Sequence, residues 1–130
     1  KKGDGVMTRQ IEILACLSAA MAIAAGAFGA HAASGPAIEW LKTGGSYQLI
    51  HAIAVLALGR RFPGPALAIF LGSLIFSFSL YALALGAPRV LGAVAPIGGS
   101  AMILGWLWMA YRASASRNSA TSASNTDLST

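Results

Sequence analysis

The side chains best suited to chemistry in this sequence are a few histidines, tyrosines and uncharged polar groups set among apolar residues. Tyr47 and His51 lie four residues apart, as do Ser77 and Tyr81, so each pair shares one face of a helix. Histidine titrates near pH 6.5, which makes a proton-bearing site or a shallow polar pocket one hypothesis. The full candidate polar cluster is His31, Tyr47, Gln48, His51, Ser77 and Tyr81.

The alternative hypothesis is structural. Histidine, tyrosine and serine side chains hydrogen-bond between helices inside membranes, at about 0.6 kcal/mol each on average. Two histidines without an added cysteine or acidic partner do not predict a metal site, and no cofactor is expected. The single cysteine, Cys16, excludes an internal disulfide. No set of nucleophile, base and acid is visible, so we do not expect an enzyme.

The composition indicates that lipid surrounds most of the chain. Of its 130 residues, 56% are hydrophobic and only 10% are charged, and the mean hydropathy is +0.67. Soluble domains carry about 25% charged residues. The net charge of +5 does not indicate nucleic-acid binding, because the nine lysines and arginines lie between and outside the apolar runs.

Four apolar segments are long enough to approach the roughly 20 residues that a membrane-spanning helix needs. The sequence therefore predicts an all-α, polytopic membrane protein, an antiparallel bundle of four transmembrane helices joined by short turns. The predicted spans are 11–33, 46–62, 65–87 and 91–111, within a transmembrane domain at 11–112. Residues 1–10 are predicted to be a cytoplasmic segment, and the Ser/Thr/Ala-rich residues 113–130 a disordered cytoplasmic tail.

The first span and the segments on either side of it leave alternatives open. The first run, with "AHA" before Ala33, also resembles a secretion signal, although its apolar core is longer than the usual 7 to 15 residues. Met7 is an alternative start of the chain. Between the first two spans, Pro36 and "AIEWLK" favour one or two helical turns.

The basic residues predict the orientation. Seven of the nine lysines and arginines fall on one side of the four spans and two, Lys42 and Arg89, on the other. Both termini are therefore predicted in the cytoplasm. Trp106, Trp108 and Tyr111 are expected at the inner interface, and Glu12 is expected to pair with an arginine there.

Glycines and a proline carry the remaining predictions. We expect helix packing or helix interruption at Gly26, Gly29, Pro96, Gly98, Gly99 and Gly105. Pro96 with "IGG" would interrupt the fourth helix, and freed carbonyls can coordinate an ion in a protein-lined cavity. In this topology the polar cluster and these residues meet in the outer half of the bundle.

Four ordered blocks of sequence carry a family resemblance: "GAFGAH", "YQLIHAIAVL", "FSFSLYALALG" and "PIGGSAMILGWLWM". Together they resemble the YgdD/YwdK-like family of small four-helix inner-membrane proteins, a domain family of unknown function, over about residues 7–111. The resemblance implies an uncleaved first helix in the bacterial inner membrane. It implies no activity and no catalytic residues.

Two classes of function follow. The first is an uncharacterised multi-pass membrane protein with a structural or accessory role, either as a homo-oligomer or beside a membrane-protein partner in the lipid bilayer. The second is a small channel or transporter for protons, ions or a small solute, working through the polar cluster.

Overall fold

The computed structural model describes the backbone of residues 2–129 and the side chains of residues 9–129. It contains four α-helices: α1 (Lys2–His31), α2 (Pro36–Leu58), α3 (Pro63–Ala84) and α4 (Ala95–Leu128). A short 3₁₀ helix, Arg89–Ala93, lies between α3 and α4. The described chain has no strand, which confirms the prediction of an all-α fold.

Proline sets the start of three of the helices. A proline occupies the first turn of α2, α3 and α4, where its missing N–H costs no helical hydrogen bond. Glycines with positive φ, Gly35 (60°) and Gly86 (96°), turn the chain before α2 and after α3. Pro36 therefore begins a helix, as predicted, but the helix continues to Leu58 and absorbs most of the expected connection.

Pro96 begins a helix and does not interrupt one, so the predicted break in the fourth span is wrong. The backbone N–H groups of Ile97 and Gly98 already bond to the carbonyl of Val94, and α4 then runs on without interruption. Because the carbonyls around Gly98 and Gly99 belong to a regular helix, the hypothesis that freed carbonyls there coordinate an ion has no structural basis.

The end of α4 also differs from the prediction. The sequence predicts disorder from residue 113, whereas α4 continues to Leu128. No glycine or proline follows Gly105, and hydroxyls bond to carbonyls one turn earlier, as in Ser119 to Ala115 and Thr121 to Arg117. Residues 114–129 are all exposed, so this extension projects from the bundle without packing against it.

Each helix packs against its neighbour in sequence, α1 on α2, α2 on α3 and α3 on α4. Short connections make these neighbours antiparallel. Within residues 2–129, α1 and α4 do not pack closely against each other, so the four helices form an open row with α2 and α3 in the middle.

Two small apolar clusters hold the row together. One joins α1, α2 and α3 through Ala15, Val55, Ala66 and Phe70. The other joins α2, α3 and α4 and consists of Ala54, Phe62, Ile69 and Met109. Many large aliphatic side chains, such as Leu17, Ile23 and Leu104, point outwards instead. A surface this apolar is expected where lipid, not water, surrounds the helices.

Three described helical stretches are long and apolar enough to cross a membrane: Arg9–His31, Pro63–Ala84 and Arg89–Leu128. The helix α2 is not among them, because Lys42, Gln48 and His51 interrupt its apolar character. Its length, 23 residues, corresponds to about 34 Å, close to the roughly 30 Å of the hydrocarbon core.

Candidate functional site

Gln48 lies at the centre of the polar cluster and joins three helices. It is fully buried. Its amide Nε2 donates to the hydroxyl of Ser18 on α1 at 2.9 Å, and its Oε1 accepts from the hydroxyl of Tyr81 on α3 at 2.5 Å. An amide can donate and accept at once, which is why glutamine suits a helix with polar neighbours on two sides.

Ser77 adds a second bond between α2 and α3. Its hydroxyl donates to the backbone carbonyl of Gly44 at 2.7 Å. Gly44 has no side chain at the point where the helices meet: a β-carbon there would lie 2.7 Å from Cε1 of Tyr81. The glycine therefore lets the tyrosine ring approach α2 closely enough for its hydroxyl to reach Gln48.

His51 links α2 to α4. Its Nδ1 lies 2.7 Å from the carbonyl oxygen of Tyr47, and the indole N–H of Trp106 donates to its Nε2 at 3.1 Å. A carbonyl only accepts and an indole N–H only donates, so Nδ1 carries the proton and Nε2 is the acceptor. These partners define a neutral histidine with both ring nitrogens occupied, leaving neither free for a metal or a substrate.

Aromatic rings surround this histidine. The ring of Tyr47 stacks on His51 with centroids 6.2 Å apart and contacts Phe76 of α3 at 4.9 Å. The indole of Trp106 meets His51 edge-on at 5.9 Å. His51 is only 5% exposed as a result, whereas Tyr47 is 44% exposed and faces the surroundings of the bundle.

The structure does not bring every predicted residue into the cluster. Tyr47, Gln48, His51, Ser77 and Tyr81 come together, but His31 is exposed at the end of α1. His31 is the last residue of α1, and its side chain is exposed where that helix ends.

The cluster also lies at a different level from the one predicted. With α2 beginning at Pro36, Gln48 is near the midpoint of the helix, and its partner Ser18 is near the middle of the apolar stretch of α1. The predicted position in the outer half of the bundle rested on a second helix that starts at Ser46, whereas α2 starts at Pro36.

Trp106 was expected at the inner interface; in the structure it is the donor to His51, and its side chain is 37% exposed. Its neighbour Trp108 does lie near a helix end: a β-carbon built on Gly64, in the first turn of α3, would be 2.8 Å from the Trp108 ring. Sequence reasoning missed Trp106 and Ser18 as cluster residues. The only available signal in the sequence was that Ser18 and Trp106 each have a polar group at about the same height along their helices as Gln48 and His51 on α2.

The predicted glycines fall into two groups. Gly98 and Gly105 lie against α3, and a β-carbon at Gly98 would be 2.5 Å from the backbone nitrogen of Phe76. Gly29 is buried beside Leu41. Gly26 and Gly99 have open space where a side chain would begin. A β-carbon at Gly26 would have no atom within 4 Å, and a β-carbon at Gly99 would contact only the ring of Phe76, at 3.9 Å.

Glu12 forms the expected ion pair at the opposite end of α1 from His31. Its Oε1 accepts from Nε and Nη2 of Arg60, both at 3.0 Å. Among residues 9–129, every buried side-chain nitrogen or oxygen has a hydrogen-bond partner. The same residues contain no group of three or more His, Cys, Asp or Glu side chains placed to hold a metal ion.

These features define a small helical membrane protein whose interior is tied together by hydrogen bonds between helices. Comparison with known proteins places it more narrowly. Residues 25–99 match the family described as "Protein of unknown function (DUF423)", and the chain belongs to that family.

Relatives cover most of the chain. A UPF0382 membrane protein of Haemophilus influenzae is 40% identical over 109 residues, 75% of this chain and 88% of the relative. The UPF0382 inner membrane protein YgdD of Escherichia coli K12 is 39% identical over 114 residues, 78% and 87% respectively. A similar protein of Staphylococcus epidermidis is 39% identical over 107 residues, 73% and 87%. These matches confirm the resemblance seen in the sequence. No solved structure matches this chain.

Proposed function

We propose that this chain is a non-catalytic, structural or accessory membrane protein, and that its polar cluster holds the helices in register. One observation carries the proposal: the polar groups of the cluster are used by other helices. Gln48 binds Ser18 and Tyr81, Ser77 binds the carbonyl of Gly44, and His51 binds Trp106. A transport site needs polar groups that can exchange partners with a solute, whereas these already satisfy one another.

We also infer that α2 crosses the bilayer with the other three helices. Its length matches the hydrocarbon core, and its polar side chains Gln48 and His51 are buried between α1, α3 and α4, not presented to lipid. Four crossings put both termini on one side. Most of the lysines and arginines lie at the same end as the termini, which supports placing that end on the cytoplasmic side of a bacterial inner membrane.

Reconstitution into liposomes tests the functional proposal. Purified protein in proteoliposomes should produce no flux of protons, sodium or potassium above that of empty liposomes. The His51→Phe variant should behave the same way in the flux assay but unfold at lower temperature in detergent. The lost hydrogen bond to Trp106 should cost about 1 kcal/mol.

His31→Phe is the matched control, because it removes the exposed histidine at the end of α1. It should leave both the flux and the unfolding temperature unchanged. Flux in the wild type that disappears in a folded His51→Phe variant would contradict the structural role and favour the channel or transporter.

A further inference from the structure

Four arginines gather at one end of the helix row, and we call this group the arginine rim: Arg9, Arg60, Arg61 and Arg112. The ion pair between Glu12 and Arg60 brings the beginning of α1 against the turn between α2 and α3. Arg9 precedes Glu12 by three residues on the same helix, so both lie on one face at that end.

The other half of the rim comes from α4. The guanidinium of Arg61 lies 4.9 Å above the ring of Phe62. Phe62 is buried in the cluster that contains Met109, and Ala113 packs against the same cluster. Arg112 is thus on the turn of α4 that adjoins Phe62, which places it at the same end of the row as Arg61.

Charge at this end is one-sided. All four arginines are exposed, and the described carboxylate beside them, Glu12, is engaged by Arg60. The opposite end carries Glu39 with Lys42 and Arg89, two cations against one carboxylate, so its positive charge is smaller. Two rim guanidinium groups also have contacts within the protein, Arg60 with the carboxylate of Glu12 and Arg61 with the ring of Phe62.

We propose that the arginine rim binds the phosphate groups of anionic phospholipids. The planar guanidinium presents paired N–H donors that match phosphate oxygens. The rim lies where the helix row ends, beside Trp108, an amphipathic side chain of the kind that lies at the headgroup level. Each arginine near such a surface strengthens binding by about fivefold. This inference does not depend on the proposed structural role.

Native mass spectrometry of the detergent-solubilised protein, titrated with phosphatidylglycerol or phosphatidylcholine, tests the proposal. The wild type should bind phosphatidylglycerol preferentially, and added salt should weaken that binding. The double variant Arg61→Gln/Arg112→Gln should bind phosphatidylglycerol about 30-fold more weakly. The control Lys42→Gln/Arg89→Gln removes the same charge from the opposite end and should bind as the wild type does.

Three outcomes overturn the proposal: equal binding of both lipids, equal losses in the two double variants, or full competition by millimolar inorganic phosphate, which would indicate a site for a free anion. If the first double variant fails to fold by circular dichroism, Glu12→Gln provides the second measurement. It raises the positive charge of the rim and should keep or strengthen binding of phosphatidylglycerol, and a loss of binding contradicts the proposal.

Discussion

At the scale of single residues, two side chains account for most bonds across the row. Gln48 joins α2 to α1 and α3, and His51 joins α2 to α4. Both lie on α2, one turn apart on its buried face. A buried polar group left without a partner costs about 1 to 3 kcal/mol, so removing one of these residues also strands its partners.

Replacing Gln48 with leucine should destabilise the fold by about 1 to 3 kcal/mol, because Ser18 and Tyr81 both lose their partner. Unfolding in detergent with increasing sodium dodecyl sulfate measures the change. Gln10→Leu is the matched control, since Gln10 is exposed on α1. Equal midpoints for the two variants would show that the network adds nothing to stability.

At the scale of helices, close approach between α3 and α4 depends on missing side chains. Gly72 and Gly98 face each other, and a β-carbon at Gly72 would lie 2.9 Å from the carbonyl oxygen of Gly98. Gly105 continues the contact towards Ile69. Small residues allow helix backbones in membranes to pack closely, where the hydrophobic effect does not drive association.

Gly98→Ala should destabilise the fold by about 1 to 3 kcal/mol, because the new methyl group meets the backbone of Phe76 and α4 must move away. Gly26→Ala adds the same methyl group where nothing lies within 4 Å. The control should be neutral or slightly stabilising, since alanine favours a helix. The two unfolding midpoints in detergent decide the matter, and a Gly98→Ala midpoint as high as that of Gly26→Ala would refute the close contact.

At the scale of the whole molecule, several polar residues are buried inside the row beside the two apolar clusters, and many large aliphatic residues are outside. Gln48, Ser73 and Ser77 are fully buried, whereas Leu17, Ile23 and Leu104 are more than half exposed. Buried polar side chains together with an apolar surface suit a chain whose surroundings are hydrocarbon.

Single-cysteine labelling tests the topology proposed here. Cys16 is first replaced by alanine, and a cysteine is then placed at Ser34, between α1 and α2. This cysteine should react with a membrane-impermeant maleimide added to intact bacterial cells that have no outer membrane to block the reagent. A cysteine at Ser116, in the exposed extension of α4, should react only after the cells are permeabilised. Labelling of both positions from outside would show an even number of crossings between them, so that α2, α3 and α4 do not all cross. The reverse pattern would invert the orientation.

Much of this architecture was predictable from particular residues. The uncharged segments around α3 and α4 predict membrane helices, and Pro36 and Pro63 fall where helices begin. Five of the six predicted cluster residues do come together. The spacing of four residues places Tyr47 with His51, and Ser77 with Tyr81, on one face of each helix whatever that helix packs against.

Tertiary structure alone decided which polar groups are partners. Composition and periodicity determine that helices form and that lipid surrounds them, since both are properties of single segments. The bonds from Trp106 to His51 and from Ser18 to Gln48 depend on the rotation and offset of one helix against another. Those offsets come from where glycines such as Gly44 and Gly98 permit contact, and they emerge only when the helices pack.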